Sequence, residues 1–164
     1  MEGNTKLATT ALIALAVQTA LFSQAAPKVS LKVERVQGKG ISYNQIMVSV
    51  RVTNISPETV RVPMSDVPEL DYQFTVIGPD GRPAPPTPDA EKHLRKIQFS
   101  NGLIDLVPGA SKALGGLVIN DVVDFSRPGT YRITATRHYD SKTWSIQGVL
   151  DGTYTSDVLE VKVP

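Results

Sequence analysis

Apolar and polar residues alternate with a period of two along most of the chain beyond residue 26, which is typical of half-buried β-strands. Turn-forming residues, such as those at 54–57 and 78–81, interrupt the alternation. The pattern predicts about seven strands without helical crossovers, so we expect an all-β, immunoglobulin-like Greek-key β-sandwich rather than a parallel sheet. The residues predicted to face the core are Val29, Leu31, Val33, Ile46, Val48, Val50, Val52, Val60, Val62, Leu70, Tyr72, Phe74, Val76, Ile133, Ala135, Leu159, Val161 and Val163.

Proline and glycine mark the places where individual strands are expected to end or bend. Pro63 lacks the backbone N–H that a strand ladder uses, so the short third strand around Val62 is expected to end there. A later strand, residues 112–119, contains Gly115 and Gly116, and these interior glycines predict a β-bulge.

Residues 82–96 form the one long irregular segment of the predicted sandwich, and four prolines exclude its first part from being a central strand. Thr87 followed by Pro88 and nearby acids is typical of a helix start, with Thr87 as the cap. One short helix of about two turns, ending near Lys96, is therefore predicted in this loop. Because loop length changes closure entropy only slowly, shortening the segment is expected to leave folding largely intact.

A tight corner in the last third of the chain carries the best indication of the fold. Pro128 and Gly129 lead directly into Tyr131 and an alternating strand. A tyrosine in this position is typical of the tyrosine corner of immunoglobulin-like sandwiches, in which the hydroxyl bonds to nearby backbone. We therefore predict that Tyr131 is buried and that its hydroxyl donates to backbone at the corner.

Several turns and core strands together resemble the bacterial intracellular proteinase inhibitor domain and its immunoglobulin-like relatives. The resemblance rests on Val-Thr-Asn-Ile-Ser at 52–56, Tyr-Gln-Phe-Thr-Val at 72–76, Asp-Gly-Arg-Pro at 80–83, Leu-Val-Pro-Gly-Ala-Ser at 106–111 and Pro-Gly-Thr-Tyr-Arg-Ile-Thr-Ala at 128–135, within residues 45–137. It implies the fold far more than the activity, and it permits inhibition of a protease. This chain departs from the family in its export signal and in its Pro-rich insertion.

The first 25 residues read as a secretory signal peptide. Lys6 precedes an apolar run at 7–22, and small residues occupy Ser23 and Ala25, the two positions that a signal peptidase reads. An uncleaved anchor is the alternative, but the run is shorter than the roughly 20 apolar residues of a spanning helix and contains Thr and Gln. We expect cleavage after Ala25, a single domain at 26–164 without a membrane span, and a periplasmic or extracellular location.

Composition narrows the classes of partner. The 17 basic and 16 acidic residues leave a net charge of +1, so no basic field is available to attract nucleic acid. The chain has no cysteine, so neither disulfides nor thiolate metal sites can support the fold. Burial and backbone pairing must therefore stabilise the domain.

No catalytic, cofactor or metal site is recognisable. His93 and His138 lack a second strong ligand at a metal-binding spacing, and the loop aspartates Asp121, Asp124 and Asp151 do not follow the spacing of a calcium loop. We therefore expect a noncatalytic binding module without cofactors. A hydrolase stays open as an alternative, because catalytic triads assemble in space rather than in sequence.

The Pro-rich segment is the first candidate binding surface. It ends in a basic stretch that also contains one apolar anchor, and long loops in compact domains often carry function. The candidate contacts to a protein partner are Arg82, Leu94, Arg95 and Lys96. The alternative is that the segment only bridges two sheets.

An aromatic loop between the last two predicted strands is the second candidate. Trp144, the only tryptophan, could form a platform with Tyr139 and Tyr154 that binds carbohydrate or the cell envelope. The alternative is that Trp144 and Ile146 lie in an extra hairpin strand and pack inward.

Overall fold

The structure, a computed structural model, describes residues 28–37, 45–65, 71–95, 101–113, 115–144 and 147–164. In chain order the elements are β1 (Val29–Arg35), β2 (Met47–Asn54), β3 (Val60–Ser65), β4 (Gln73–Ile77), α1 (Ala90–Arg95), β5 (Asn101–Leu106), β6 (Ser111–Ala113), β7 (Leu117–Val118), a 3-10 helix (Ile119–Asp121), β8 (Gly129–Tyr139), a second 3-10 helix (Ser141–Trp144), β9 (Gly152–Thr155) and β10 (Leu159–Val163).

These strands form two antiparallel sheets and a two-stranded ribbon. In the first sheet β2 pairs with β1 on one edge and with β6 and β7 on the other. In the second sheet β8 pairs with β4 on one edge and with β10 and β9 on the other. The ribbon consists of β3 and β5. The arrangement confirms the predicted all-β sandwich.

The core lies between the inward faces of the two sheets. The β2 valines Val48, Val50 and Val52 are fully buried, and Ile133 and Ala135 of β8 are equally inaccessible. Burial of such side chains supplies most of the favourable free energy of folding in a domain without disulfides. The predicted alternation in β1, β2, β8 and β10 is confirmed by these burial patterns.

The number of strands exceeds the prediction because two edge strands are interrupted by one extra residue each. Ala113 pairs with Arg51 and Leu117 pairs with Val48, so three chain positions on this edge correspond to only two on β2, Ser49 and Val50. Residues 156–158 interrupt β9 and β10 in the same way along β8. The Ser156 hydroxyl there accepts from the Ala135 amide at 3.0 Å, which replaces a ladder bond. The one-residue excess at the glycine pair agrees with the predicted bulge.

Pro63 does not end the third strand, and this prediction was wrong. β3 continues through Pro63 to Ser65. The Arg61 amide donates to the carbonyl of Gly148 at 3.3 Å. The backbone N–H and C=O groups of odd-numbered β3 residues therefore point away from β5. The nitrogen of Pro63 therefore lies on the side opposite β5, and its missing N–H removes no bond from the ribbon.

The first part of the Pro-rich segment is attached to the sandwich. The Ala84 amide donates to the carbonyl of Val76 at 2.8 Å, and the Thr87 amide donates to that of Val122 at 3.1 Å. Shortening through this part would remove the donors to both carbonyls. The expectation that the whole segment is dispensable for folding stays a prediction, and these two bonds count against it. The attachment supports the bridging role that was left open.

The predicted helix in this segment is present as α1, but its predicted cap was wrong. The Thr87 hydroxyl donates to the carbonyl of Asp121 at 2.6 Å instead of capping α1. The helix begins at Ala90, which is buried. Tertiary contact with the 3-10 helix competes successfully with the local cap.

The tyrosine corner is confirmed. Tyr131 is 2% exposed, and its hydroxyl donates to the carbonyl of Arg127 at 2.9 Å. Its ring packs against Phe125, with 4.5 Å between the ring centroids. Gly129 has φ of +135° beside Pro79, a backbone conformation that favours glycine.

Asn54 organises the turn after β2. Its side chain is 1% exposed, its amide nitrogen donates to the carbonyls of Glu58 and Leu106, and its oxygen accepts from Ser56. The residues at 54–56 match a glycosylation sequon, but both amide hydrogens are already used inside the fold. The motif therefore serves the turn.

Candidate functional site

A groove of about 740 Å³ opens at the end of the sandwich where the tyrosine corner lies. We call it the corner groove. Its apolar lining consists of Ile46, Val123, Phe125, Val163 and Pro164, and its polar lining consists of Arg35, Thr87, Asn120, Asp124, Ser126 and Lys162. A volume in the hundreds of Å³ with mostly apolar walls and a few polar groups is typical of binding sites.

Five separate parts of the chain build the corner groove. Arg35 ends β1, Ile46 precedes β2, and Val163 ends β10. Residues 119–126 form a further wall, and Thr87 comes from the Pro-rich segment. Side chains separated by more than a hundred residues therefore meet only through the pairing of the strands.

Hydrogen bonds hold the walls in place. The Ile46 amide donates to the side-chain oxygen of Asn120 at 2.8 Å, and the Ile119 amide donates to the carbonyl of Ile46 at 2.9 Å. The Asp124 amide donates to the carbonyl of Pro85 at 2.9 Å, which ties this wall to the Pro-rich segment. The groove is thus formed by backbone that is fixed on both sides.

The floor of the corner groove is aromatic and aliphatic. Phe125 is 9% exposed and rests against the buried ring of Tyr131, while Ile46 is 7% exposed. Val123 and Val163 are half-buried and pack against the same core. An apolar side chain placed here would therefore lose contact with water and gain contact with the edge of the core.

The charges around the corner groove are not balanced. Arg35 and Lys162 are exposed, and neither forms an ion pair with another residue in the described ranges. The carboxylate of Asp124 accepts from the amide of Ser126 at 2.8 Å and from its hydroxyl at 3.0 Å. Asp124 is therefore engaged in its own turn, and the two cations remain available to an anionic group.

The sequence-predicted residue Arg82 lies beside a second, smaller cavity of about 180 Å³ that also contacts Asp124. Its side chain is exposed, and its amide donates to Asp80 at 3.0 Å. This bond, followed by the attraction of Arg127, lowers the pKa of the Asp80 carboxyl. The Arg127 guanidinium donates to the same carboxylate at 2.9 Å.

The other predicted partner contacts are only partly placed. Leu94 and Arg95 end α1, which follows Thr87 of the corner groove by a few residues. Their side chains and the whole of Lys96 lie outside the described residues, so their role stays a prediction. In the sequence, α1 begins at Ala90, shortly after Thr87 of the groove wall.

Of the predicted aromatic platform, Tyr139 is excluded, and the part of Trp144 stays a prediction. Tyr139 is 2% exposed, so its ring presents no face to solvent. The Tyr154 ring meets it edge-on at 71°, with 5.8 Å between centroids, and its hydroxyl donates to the carbonyl of Asp151 at 3.1 Å. The backbone of Trp144 lies in a 3-10 helix rather than a hairpin strand; its side chain and Ile146 lie outside the described residues.

Sequence reasoning missed a buried cluster at the opposite end of β8. The Arg137 guanidinium lies 4.5 Å from the ring centroid of Tyr139 and 5.3 Å from that of Tyr72. Its Nη1 atom is 2.9 Å from Oδ2 of Asp71, and the two charged side chains are only 10% and 8% exposed. The alternation along β8 places position 137 on the inward face. This was the signal that could have revealed a buried arginine, which requires partners inside the fold.

Burial dominates the electrostatics of this cluster. The hydroxyls of Tyr72 and Tyr139 lie 3.3 Å apart, and burial raises the pKa of both phenols. The 2.9 Å contact of Nη1 is an ion pair rather than a well-directed hydrogen bond. Because Asp71 balances the charge of Arg137 and two rings cover it, the cluster stabilises the end of the core.

No metal centre is evident in the part of the chain that the structure describes. Within it, no three residues of the His, Cys, Asp and Glu types approach one another closely enough to hold an ion. Asp151 accepts from the amide of Ser141, which lowers the pKa of its carboxyl, and His138 pairs with Thr153 at 2.9 Å. The described helices are also too short or too polar to cross a bilayer.

Comparison of the chain with protein-family models and with curated proteins finds no match to either.

Proposed function

We propose that the protein is an exported, noncatalytic binding module that holds a protein partner in the corner groove. The single observation that carries the proposal is the combination, in one groove whose walls are held by hydrogen bonds, of an apolar floor with cations that form no ion pair within the described residues. Apolar anchors that fill such pockets dominate the binding energy of protein interfaces, and charges at the rim contribute specificity.

The groove also accounts for the Pro-rich segment. Thr87 lines the groove, and hydrogen bonds at Ala84 and Thr87 fix the segment against the sandwich. A segment held in place before binding loses little conformational entropy when a partner docks. Helix α1 follows Thr87 closely in the sequence, so the predicted contributions of Leu94 and Arg95 belong to the same proposal.

Export is part of the proposal. The signal-like pattern at residues 1–25 supports a periplasmic or extracellular location, and the intact mass of the exported protein tests it. We expect a mass that corresponds to a chain beginning at Ala26. A membrane-retained product of full length would contradict both the processing and the location.

Capture from the native cell envelope, followed by mass spectrometry, tests the binding site. We expect Val163→Asn to abolish capture of the partner, because it places an amide on the apolar floor. The matched control is Leu159→Asn on the same strand, since Leu159 is also half-buried but lies outside the groove. Retained capture by the Val163 variant, or loss of capture with Trp144→Ala, would contradict the proposal.

The resemblance to intracellular proteinase inhibitors makes a protease one partner to examine among the captured proteins. The assay is the hydrolysis rate of the captured protease with and without the purified protein. Inhibition that the Val163 variant loses and the Leu159 variant keeps would assign the inhibitory contact to the corner groove.

A further inference from the structure

We infer that the corner groove takes an acidic, apolar peptide segment, in which a large apolar side chain is flanked by carboxylates. This inference rests on the proposed function, and it deepens that function by naming the chemistry of the bound segment. The observation behind it is the placement of two cations, Arg35 and Lys162, on the rim of an apolar floor, where neither has an ion-pair partner among the residues that the structure describes.

Several other cations of the described chain have acidic partners. Lys32 and Arg51 both approach Glu34, at 3.4 and 3.0 Å, and Arg127 pairs with Asp80. Arg35 follows Glu34 directly in β1, yet it lines the groove without an acidic partner in the described part of the chain. Arg35 therefore differs from these cations in having no acidic partner among the described residues.

The carboxylate in the groove does not reverse this balance. Asp124 already accepts two hydrogen bonds from Ser126, so its oxygens are partly satisfied within the protein. A basic segment would have to approach two cations, and Asp124 is the one acidic side chain among the described lining residues that it could meet. An acidic segment can pair with both cations, and such pairs strengthen when an apolar neighbour excludes water.

The floor specifies the second half of the ligand. Phe125 and Ile46 are nearly buried, and Val123 and Val163 are half-buried around the same opening. A small anion alone would leave this apolar surface in water, whereas a Leu or Phe side chain would cover it. The groove therefore fits a peptide better than a free inorganic anion.

Fluorescence anisotropy with short labelled peptides tests the inference. The probes are a peptide with a central Phe between aspartates, the same peptide with lysines in place of the aspartates, and the same acidic peptide with Ser in place of Phe. We expect the acidic Phe peptide to bind most tightly. Its affinity should weaken as salt rises from about 0.05 to about 0.5 M, because the ion pairs at the rim are screened.

The charge-matched variants separate rim contacts from net charge. Arg35→Gln with Lys162→Gln is expected to weaken binding of the acidic Phe peptide about five- to tenfold, as two partly exposed ion pairs would. The control, Lys112→Gln with Arg132→Gln, removes the same charge from exposed positions outside the groove and should leave the affinity unchanged.

Two results would overturn the inference. In the first, the lysine peptide binds as tightly as the acidic peptide or more tightly, and Val163→Asn weakens this binding. The groove would then take a basic segment instead of an acidic one, and the proposed function would still stand. In the second, no peptide binds, and the inference that the groove takes a peptide segment is wrong. The proposed function itself fails if Val163→Asn leaves capture of the native partner intact or if Trp144→Ala abolishes that capture.

Discussion

Removing the hydroxyl of Tyr131 tests the tyrosine corner with the smallest possible change. In Tyr131→Phe the ring keeps its contact with Phe125, and only the hydrogen bond to the carbonyl of Arg127 is lost. A hydrogen bond of this kind contributes about 0.5 to 1.5 kcal/mol net, and an unpaired buried partner would raise the loss to about 3 kcal/mol.

The surroundings of the acceptor decide where in this range the effect falls. Tyr131 is 2% exposed, but Arg127 is exposed, so water can reach the freed carbonyl more easily than it could reach a core group. We therefore expect a loss of about 1 to 2 kcal/mol in the free energy of unfolding. The change should appear in the urea midpoint, with an unchanged dependence on denaturant concentration.

Tyr154→Phe provides the matched control. Its hydroxyl also donates to a backbone carbonyl, that of Asp151 at 3.1 Å, but this tyrosine is only half-buried and its hydrogen bond is exposed. We expect the control to change stability by about 0.5 kcal/mol or less. Equal midpoints for the Tyr131 variant and the wild type would refute the structural role of the corner.

Three further predictions concern the core and the buried cluster. Val50→Ala should lower the free energy of unfolding by about 2 to 4 kcal/mol through lost burial and a residual cavity. The control Val158→Ala, at a residue that is 56% exposed, should change it by no more than about 0.5 kcal/mol. Similar urea midpoints for the two variants would contradict the assigned core. Arg137→Met should destabilise by about 3 to 5 kcal/mol because it removes the cation that balances the buried carboxylate of Asp71, and adding Asp71→Asn should recover part of this loss. No recovery would argue against the ion pair. Burial raises the pKa of the Tyr139 phenol, which favours its neutral form in the folded state. The stability that this preference contributes is complete below about pH 10 and is lost as the pH rises further. Urea midpoints measured from pH 8 to 11 should therefore fall more for the wild type than for Tyr139→Phe.

Local pattern was sufficient for most of the secondary structure. The alternation in β1, β2, β8 and β10 reports which side chains are buried, because successive residues of a strand point to opposite faces. The tyrosine corner could also be predicted from the sequence, because Gly129 and Tyr131 are close in the chain. The carbonyl of Arg127, which accepts from the Tyr131 hydroxyl, lies only a few residues upstream. Where a tertiary contact overrides local preference, as at Thr87, the local prediction fails.

Pro63 shows the limit of a residue rule when strand pairing is unknown. A missing N–H ends a strand only if that N–H faces a partner, and the pairing of β3 with β5 places it on the other side. The bonded neighbour of a given residue is a property of the sheet, so single-chain reasoning could not decide this case.

The sequence by itself determined the all-β class, the order of the turns and the corner, because each depends on residues that are near neighbours in the chain. Only the tertiary structure decided where binding surfaces form. The corner groove joins Arg35 and Ile46 to Phe125 and Val163, which approach one another through strand pairing and sheet packing. Arg137 meets Tyr72 and Asp71 for the same reason, since β4 and β8 pair across about sixty intervening residues, a distance over which no local periodicity carries information.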